Sequence, residues 1–273
     1  MMRVPTVNER EAEAAYAAAQ KVVETHKRLV ETIKVGSTLA EIDMEVARIL
    51  HSLDSRSCFL NYKPARMRPF PGHSCLSVND CIVHGHPACH TDPLEEGDIL
   101  SVDIGVLHRG WIGDAAWTYA IGSVSDENKR LMDCGKEALA KGIPTLVGGR
   151  PYTDWAQTVQ DIVEGDYGYH CVRHLGGHGY GKKLHAPPYV ANNMPSYPGE
   201  WPDADVVAKP GTLLAVEPMV AIGTGDRKEA ARTWPIYSAD GSMAVHYEAD
   251  VLIQNGAPRV LTEGMTDLPD IVG

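Results

Sequence analysis

Four acidic residues interrupt runs of apolar, β-prone residues, and this pattern limits the possible folds more than any other feature of the sequence. A carboxylate in a protein core is costly unless a hydrogen bond or a positive charge compensates it. One such acid alone is equally compatible with an edge strand whose polar side faces solvent, but four of them together favour strands that converge on one compensating centre. The four acids are Asp103, Asp114, Glu217 and Glu248.

Two of these acids fit a single β-hairpin. Asp103 lies in the predicted strand 99–106, and Asp114 follows eleven residues later, after a predicted turn at 108–110. A strand, a tight turn and a returning strand bring both carboxylates to one place.

The sequence also contains one internal similarity. Residues 97–106 parallel residues 211–220: each segment starts with Gly, continues with an apolar run, and has a carboxylate at its seventh position and Val at its tenth. Two strands can resemble each other by chance, so a duplication and a coincidence both remain open. A duplication would imply two related half-domains whose carboxylates, Asp103 and Glu217, point at a common centre.

Two capping boxes predict the start of the first two helices. Thr6 with Glu9, and Thr38 with Glu41, have the spacing at which a side chain and a backbone N–H satisfy each other. Apolar residues at three- and four-residue steps extend the first helix over about 7–34, where Gly36 ends it, and the second to residue 53. The other predicted elements are strands at 99–106, 116–121, 213–220 and 244–253, helices at 126–142 and 153–165, and loops with short strands at 168–202.

Charge and hydropathy exclude several classes of protein. The chain has 25 Lys and Arg against 36 Asp and Glu, a net charge of −11, which argues against a nucleic-acid binder that relies on phosphate contacts. No apolar run approaches the roughly 20 residues of a membrane helix, and the first residues lack the pattern of a secretory signal. We therefore expect a cytoplasmic protein with six free thiols and no membrane partner, and no Ser- or Gly-rich linker divides 1–273 into more than one catalytic domain.

Three histidines lie in segments where they could join the acids. His178 lies within a glycine-rich stretch at 176–181, His185 follows seven residues later, and His84 precedes Gly85. Lone histidines of this kind are more often structural or solvated. Four carboxylates plus one imidazole nevertheless suit a pair of divalent ions, and oxygen ligands with one nitrogen match Mn, Fe, Co or Zn better than a thiolate zinc site does.

A second group of metal-type residues lies upstream. Its spacing matches no zinc finger, because the usual short Cys-x₂₋₄-Cys pair is missing. The members of this rival cluster are Cys75, Cys81, His84, His86, Cys89 and His90.

Several short motifs, taken together and in order, resemble the type I methionine aminopeptidases of the pita-bread fold. The similarity extends from the first helix to Ile253, and the gaps between the two aspartates and between the two histidines make it specific. The motifs are Ser77-Val78-Asn79-Asp80, Val83-His84-Gly85, Val102-Asp103-Ile104, Gly113-Asp114, Gly177-His178-Gly179-Tyr180-Gly181, Leu184-His185, Val216-Glu217-Pro218-Met219 and Tyr247-Glu248.

This resemblance implies an α+β fold with two pseudo-symmetric halves, in which a curved antiparallel sheet is covered by helices. It also implies two divalent metal ions, with Asp114 and Glu248 bridging them, Asp103 on one ion, and His178 with Glu217 on the other. The chain departs from the family where Ala249-Asp250 follows Glu248 in place of a usual His-Thr, and where a short insertion lies between Cys58 and Phe70.

The implied activity is removal of the initiator methionine from nascent polypeptides with a small second residue. Glu217 would accept the proton of the attacking water, and His185 and His84 would contact the substrate at the oxyanion and the scissile amide. The residues that fall near the methionine pocket are Phe70, Cys75 and Trp234. The family also implies a monomer that can act at the ribosome.

Two other functions fit the same ligands. One is an Xaa-Pro aminopeptidase or dipeptidase of the same fold, whose members usually carry an extra N-terminal domain. The other is a metal-free binding protein that kept the fold and lost catalysis, although such relatives normally lose one or more of the five ligands and this sequence keeps all five.

Overall fold

The structure, a computed structural model, describes residues 4–64, 67–202 and 204–273. The central part of the insertion, Ala65 and Arg66, lies outside the described residues. The α-helices are α1 Glu9–Leu29, α2 Leu39–Ser52, α3 Asp126–Gly142 and α4 Thr153–Gln160. The strands are β1 Arg56–Ser57, β2 Cys75–Val78, β3 Cys81–Val83, β4 Ile99–His108, β5 Trp111–Ile121, β6 His170–Cys171, β7 Gly176–Gly179, β8 Ala186–Ala191, β9 Leu213–Val216, β10 Met219–Ala221, β11 Arg227–Glu229, β12 Ile236–Ser238, β13 Ala244–His246, β14 Ala249–Leu252, β15 Arg259–Val260 and β16 Ile271–Val272.

The predicted hairpin is confirmed as the ribbon β4–β5. Its two strands pair antiparallel without interruption from Ile99 with Ala120 to His108 with Trp111. Only two residues connect the strands, and both have positive φ, which is the conformation that matches the twist of a two-residue hairpin. We call this hairpin the first ribbon.

The second ribbon combines β9 and β10 with β13 and β14. β9 pairs with β14, and β10 pairs with β13, in one continuous antiparallel register. The strands are divided where Pro218 cannot supply a backbone N–H to the ladder. The same register places Glu217 opposite Glu248 at the division.

Matching hydrogen bonds relate the two halves of the chain. In the first half, the N–H of Gly97 donates to the carbonyl of Ile121, and the N–H of Ile121 donates to the backbone carbonyl of Asp98. In the second half, the N–H of Gly211 donates to the carbonyl of Ile253, and the N–H of Ile253 donates to the carbonyl of Thr212. Both glycines also have nearly the same φ, +92° and +89°. Each half therefore consists of two helices followed by a long antiparallel ribbon, and the internal similarity marks a repeated unit.

The helices lie against these ribbons. α1 packs across β5 and β4 through a buried face of small residues, which includes Ala15, Ala18 and Ala19. Since alanine side chains are short, the helix axis approaches the strands closely. The hydrophobic core is continuous between this layer and the strands beneath it.

Some predicted helix boundaries are wrong. α1 begins after Asn8, whose side chain forms the capping box with Glu11, in place of Thr6 with Glu9. It ends at Leu29 and does not continue to 34, because the hydroxyl and the N–H of Thr32 both bond to the Leu29 carbonyl and close a tighter turn. The second capping box, Thr38 with Glu41, is confirmed.

The fourth helix is shorter than the predicted 153–165. α4 ends at Gln160, and a wider π-helical turn continues over 161–166. Within the described residues, none of the helices combines the length and the apolar character required to cross a membrane.

The repeated glycines provide a test of the two-half architecture. Gly97→Ala should lower the free energy of unfolding by about 1–2 kcal/mol, because left-handed backbone carries that cost for a residue with a Cβ. Gly211→Ala should lower it further, since its Cβ would lie 2.8 Å from the carbonyl oxygen of Val7. Urea unfolding measures both values.

Gly165→Ala is the matched control, because a Cβ there meets nothing within 4 Å and its φ is not in the left-handed range. The control should be neutral or slightly stabilising. Equal free energies of unfolding for all three variants would contradict this account of the two turns.

Candidate metal centre

The first ribbon presents Asp103 and Asp114 on one face. Asp103 pairs with Ala116, and Asp114 pairs with Gly105, so the two acids are diagonal neighbours on the same side of the strands. Both are buried, at 9% and 3% exposure. The hairpin therefore does bring together the two carboxylates that the sequence assigned to one place.

The second ribbon brings Glu217 and Glu248 to the same cavity. Glu248 is buried, and the side chain of Glu217 is 13% exposed. The N–H of Glu248 donates to the carbonyl of Ala116 at 2.9 Å, two residues from Asp114. This bond holds the second ribbon against the first at the level of the acids.

His178 reaches the acids from β7, which pairs with β9. Its Nε2 atom lies 3.9 Å from Glu217 Oε1 and 4.0 Å from Asp114 Oδ2. Its Nδ1 atom lies 3.1 Å from the carbonyl oxygen of Gly179, which fixes a tautomer that leaves Nε2 free. Gly177 permits the close approach of the strands, because a Cβ there would lie 2.3 Å from the carbonyl oxygen of Ala215.

His246 also lies in this cluster, and the sequence analysis missed it. Its Nε2 atom is 3.2 Å from Glu217 Oε2 and 3.8 Å from Glu248 Oε2. The signal was present as the spacing His-x-Glu, because residues two apart on a strand face the same side.

Burial, and for three of the acids their neighbours, raise the pKa values of the carboxylates. Burial raises the pKa of Asp103 to about 7. Burial, and then the neighbouring carboxylates, raise the pKa values of Asp114 and Glu248 well above the usual range, and burial raises the pKa of Glu217. Among the described residues, the lining of the cavity includes neither Lys nor Arg, so no permanent positive charge lies directly against the acids there.

A divalent ion fits this environment. The Oδ1 atoms of Asp103 and Asp114 and the Nε2 atom of His246 are buried without a hydrogen-bond partner. Burial lowers the pKa of His178 to about 3, which keeps the imidazole in the neutral form that binds metals. Two overlapping groups have ligand atoms within 4.8 Å of one another: Asp114, His178 and Glu248, and Glu217, His246 and Glu248.

The rival cluster does not form a site of this kind. Within the described part of the chain, neither group of metal-type ligand atoms includes any of its six members. Cys75 and His84 line the cavity of the acids instead, because β2 pairs Cys75 with Asp103. Cys89 accepts a hydrogen bond from the backbone of His86.

An apolar pocket opens beside the acids. The cavity has a volume of about 60 Å³, whereas one water needs roughly 10–15 Å³. The three residues predicted for this pocket, Phe70, Cys75 and Trp234, do line it. The sequence analysis missed Phe59, Tyr62, Val83 and Leu184 in the same lining.

The two remaining predicted histidines, His84 and His185, also line this cavity. The ring of His84 meets the ring of Trp234 edge-on, with centroids 5.7 Å apart. His185 is exposed at the entrance, with its ring centroid 4.3 Å from that of His178 and its Nδ1 atom 2.7 Å from the Tyr62 hydroxyl. The insertion thus places Tyr62 at the entrance, because the backbones of Tyr62 and Phe70 are hydrogen-bonded across the loop.

Asp250 holds Asp114 in place through the backbone. It is fully buried, and its Oδ2 atom accepts the backbone N–H of Asp114 at 2.8 Å. Burial raises its pKa well above the usual range. This residue is one of the two that depart from the family pattern after Glu248.

Comparison with known proteins gives a consistent result. The sequence model of metallopeptidase family M24 matches residues 12–255. A methionine aminopeptidase from Clostridium acetobutylicum is 37% identical over 255 residues, which cover 93% of this chain and 97% of that protein. The crystal structure of methionine aminopeptidase from Rickettsia prowazekii has a TM-score of 0.87 and 26% identity, and the alignment covers 95% of this chain and all of that one.

The Xaa-Pro peptidases are more distant. The crystal structure of X-Pro aminopeptidase from Thermotoga maritima has a TM-score of 0.74 at 18% identity, and covers 98% of this chain but 63% of that one. This likeness concerns the fold alone. The expected α+β pita-bread fold is confirmed by both structural matches.

The raised pKa of Asp103 predicts how the metal-free protein responds to pH. The pKa of about 7 in the folded protein lies above the ordinary aspartate pKa of 3.8, so the folded protein binds the extra proton between these two pH values. The free energy of unfolding should therefore fall as pH rises through this range and level off above it. Asp103→Asn removes the charge, so the variant should be more stable than the wild type near neutral pH.

Urea unfolding with a chelator present, over a series of pH values, measures the difference between the two proteins. The advantage of Asp103→Asn should shrink towards zero at the acidic end of the range. Added divalent ions should stabilise the wild type most near neutral pH, because binding needs charged carboxylates. An equal advantage of the variant at every pH would contradict the assigned pKa shift.

Proposed function

The chain belongs to metallopeptidase family M24 and, within it, to the methionine aminopeptidases, and from this we propose that it hydrolyses the first peptide bond of polypeptides that begin with methionine. The observation that carries the proposal is a cavity in which four carboxylates, three of them buried and the fourth 13% exposed, adjoin an apolar pocket. The acids suit cations that activate water, and the pocket suits an unbranched apolar side chain. The substrate would be the initiator methionine of nascent chains.

We propose two divalent ions in this centre, held by Asp103, Asp114, His178, Glu217 and Glu248. The presence of Glu248 in both groups of ligand atoms supports a bridging role for it. Ions so held would lower the pKa of a bound water towards neutrality and polarise the substrate carbonyl. The mixed oxygen and nitrogen ligands are compatible with Co, Mn, Fe or Zn.

Glu217 would act as the general base. Its carboxylate reaches the cavity from the end of β9, and its raised pKa brings it nearer to the pH at which it must accept and release a proton. It would take the proton of the attacking water and deliver it to the leaving amine. His185 would stabilise the oxyanion by hydrogen bonding from the entrance of the cavity.

His84 would contact the nitrogen of the scissile amide. Its φ of +60° is unusual for a residue with a side chain, and such strain persists where the surrounding structure imposes it. Here Gly85 imposes it, because its carbonyl accepts the N–H of Leu76 and its N–H donates to Ser77. Burial lowers the pKa of His84 to about 4, so the imidazole is neutral at physiological pH.

The methionine side chain would occupy the apolar pocket. Phe70 meets both Phe59 and Trp234 edge-on, at centroid distances of 6.2 and 5.2 Å. Aromatic faces and edges of this kind make favourable contacts with a thioether sulfur. Tyr62 at the entrance would restrict the second residue of the substrate to small side chains.

The setting of the reaction is part of the same proposal. We propose a cytoplasmic monomer that acts on nascent chains at the ribosome. The net charge of −11 supports recognition of the polypeptide itself without direct phosphate contacts.

A small peptide panel tests the substrate. The protein should cleave Met-Ala-Ser with a kcat/KM more than about tenfold above that for Met-Trp-Ser, because the entrance is crowded by Tyr62. Leu-Ala-Ser serves as the control for the methionine pocket and should be a poor substrate. Faster cleavage of Ala-Pro-Ala than of Met-Ala-Ser would favour the Xaa-Pro peptidase alternative.

Replacing His84 by Ala tests the proposal that this residue contacts the substrate and does not bind metal. Turnover should fall by about 10²–10⁴-fold, as for a lost acid–base or hydrogen-bonding group, while the metal content stays that of the wild type. His51→Ala, an exposed histidine of α2, is the control and should leave turnover unchanged. Loss of metal in His84→Ala would instead identify His84 as a ligand.

A further inference from the structure

His246 satisfies the same geometric conditions as His178. Its Nε2 atom is 3.2 Å from one carboxylate oxygen and 3.8 Å from another, whereas the corresponding distances for His178 are 3.9 and 4.0 Å. Ligand atoms bound at about 2.0–2.2 Å to one ion lie roughly 3–3.5 Å from each other. His246 is therefore at least as close to the acids as the histidine that the sequence placed among the ligands.

The Nε2 atom of His246 is buried among acids. The residue is 3% exposed, and this atom has no hydrogen-bond partner among the described residues, although it lies 3.2 Å from Glu217 Oε2. A buried imidazole nitrogen without a partner is costly, because it has lost its hydrogen bond to water and gained none in return. Coordination of a cation would remove this cost.

The backbone of His246 is held on the first ribbon. Its N–H donates to the hydroxyls of Ser101 and Thr118, both at 3.2 Å, and its carbonyl accepts from Thr118 at 2.9 Å. The two hydroxyls also bond to each other at 2.8 Å. Ser101 lies two residues before Asp103 on the same face of β4, so this clamp fixes His246 relative to the acids.

We propose that His246 is a metal ligand, which joins Glu217 and Glu248 at one ion position. The inference rests on the proposed dinuclear centre and extends it. The centre would then hold two imidazoles. The second nitrogen should shift the preference of the centre towards Fe, Co and Zn and away from Mn, since imidazole is a better ligand for the first three.

A cobalt-loaded crystal provides the direct test. The anomalous map of the wild type should show two ions, one of them about 2.0–2.1 Å from Nε2 of His246. Two ions that both lie more than about 3 Å from this atom would overturn the inference and leave the proposed function standing. Failure of the wild type to bind any cobalt would overturn the inference and the dinuclear centre together.

Variants provide an independent measurement by calorimetric titration of the metal-free protein. In His246→Gln one of the two cobalt sites should weaken by about 100-fold or more, because loss of a group that only supports a ligand already costs about 10–100-fold. The ratio of cobalt to manganese affinity at that site should fall as well. Two sites of wild-type affinity would overturn the proposal.

The matched control is His108→Gln. His108 is also buried, at 5% exposure, but it lies at the far end of β4 and its Nδ1 atom is 2.9 Å from the Ser55 hydroxyl. The His108→Gln variant should bind cobalt at both sites with wild-type affinity. Circular dichroism monitors folding of each variant, and if His246→Gln does not fold, the wild-type anomalous map alone decides.

Discussion

The enclosure of four carboxylates in one cavity is the constraint on which this structure depends. Asp103, Asp114, Glu217 and Glu248 face this cavity, and its lining within the described part of the chain includes no lysine or arginine. Burial raises the pKa values of all four acids, and neighbouring carboxylates raise those of Asp103, Asp114 and Glu248 further. Bound metal ions would offset both costs at once, which is consistent with membership of a metallopeptidase family.

The fold holds the acids in place through backbone contacts between its two halves. Glu248 is fixed to the first ribbon by its bond to Ala116, and Asp114 is fixed by Asp250, a residue of the second ribbon. The Ser101 and Thr118 hydroxyls hold the backbone of His246 in the same way. Because each half holds acids of the other half in place, the four acids come together only when both ribbons are assembled.

Sequence reasoning found the strands and missed part of what they carry. The interrupted apolar runs located Asp103 and Glu217, and the turn between two strands placed Asp114 beside Asp103. His246 and Asp250 flank Glu248 at two-residue spacing on the same strand run. The sequence could therefore predict that the three side chains face the same side, but it could not predict how deeply they are buried. Burial depends on what packs against a strand, and here that is the first ribbon, which is over 120 residues away in sequence. The helix starts show a similar limit, because Thr6 and Asn8 both fit a cap and only the path of the chain selects Asn8.

The sequence by itself determined the main helices and strands and located the two similar segments, because hydrophobic periodicity, turn residues and an acid at the seventh position of each segment are local properties of the chain. It also determined that the acids required compensation, since a charge inside an apolar run is costly wherever the run is placed. Only the tertiary structure decided which groups meet around that charge, including His246 from the second ribbon and Tyr62 from the loop at the entrance. These contacts arise from the register between two ribbons and from the closure of a loop. Both depend on packing between segments that are distant in sequence, so a local sequence pattern does not predict them.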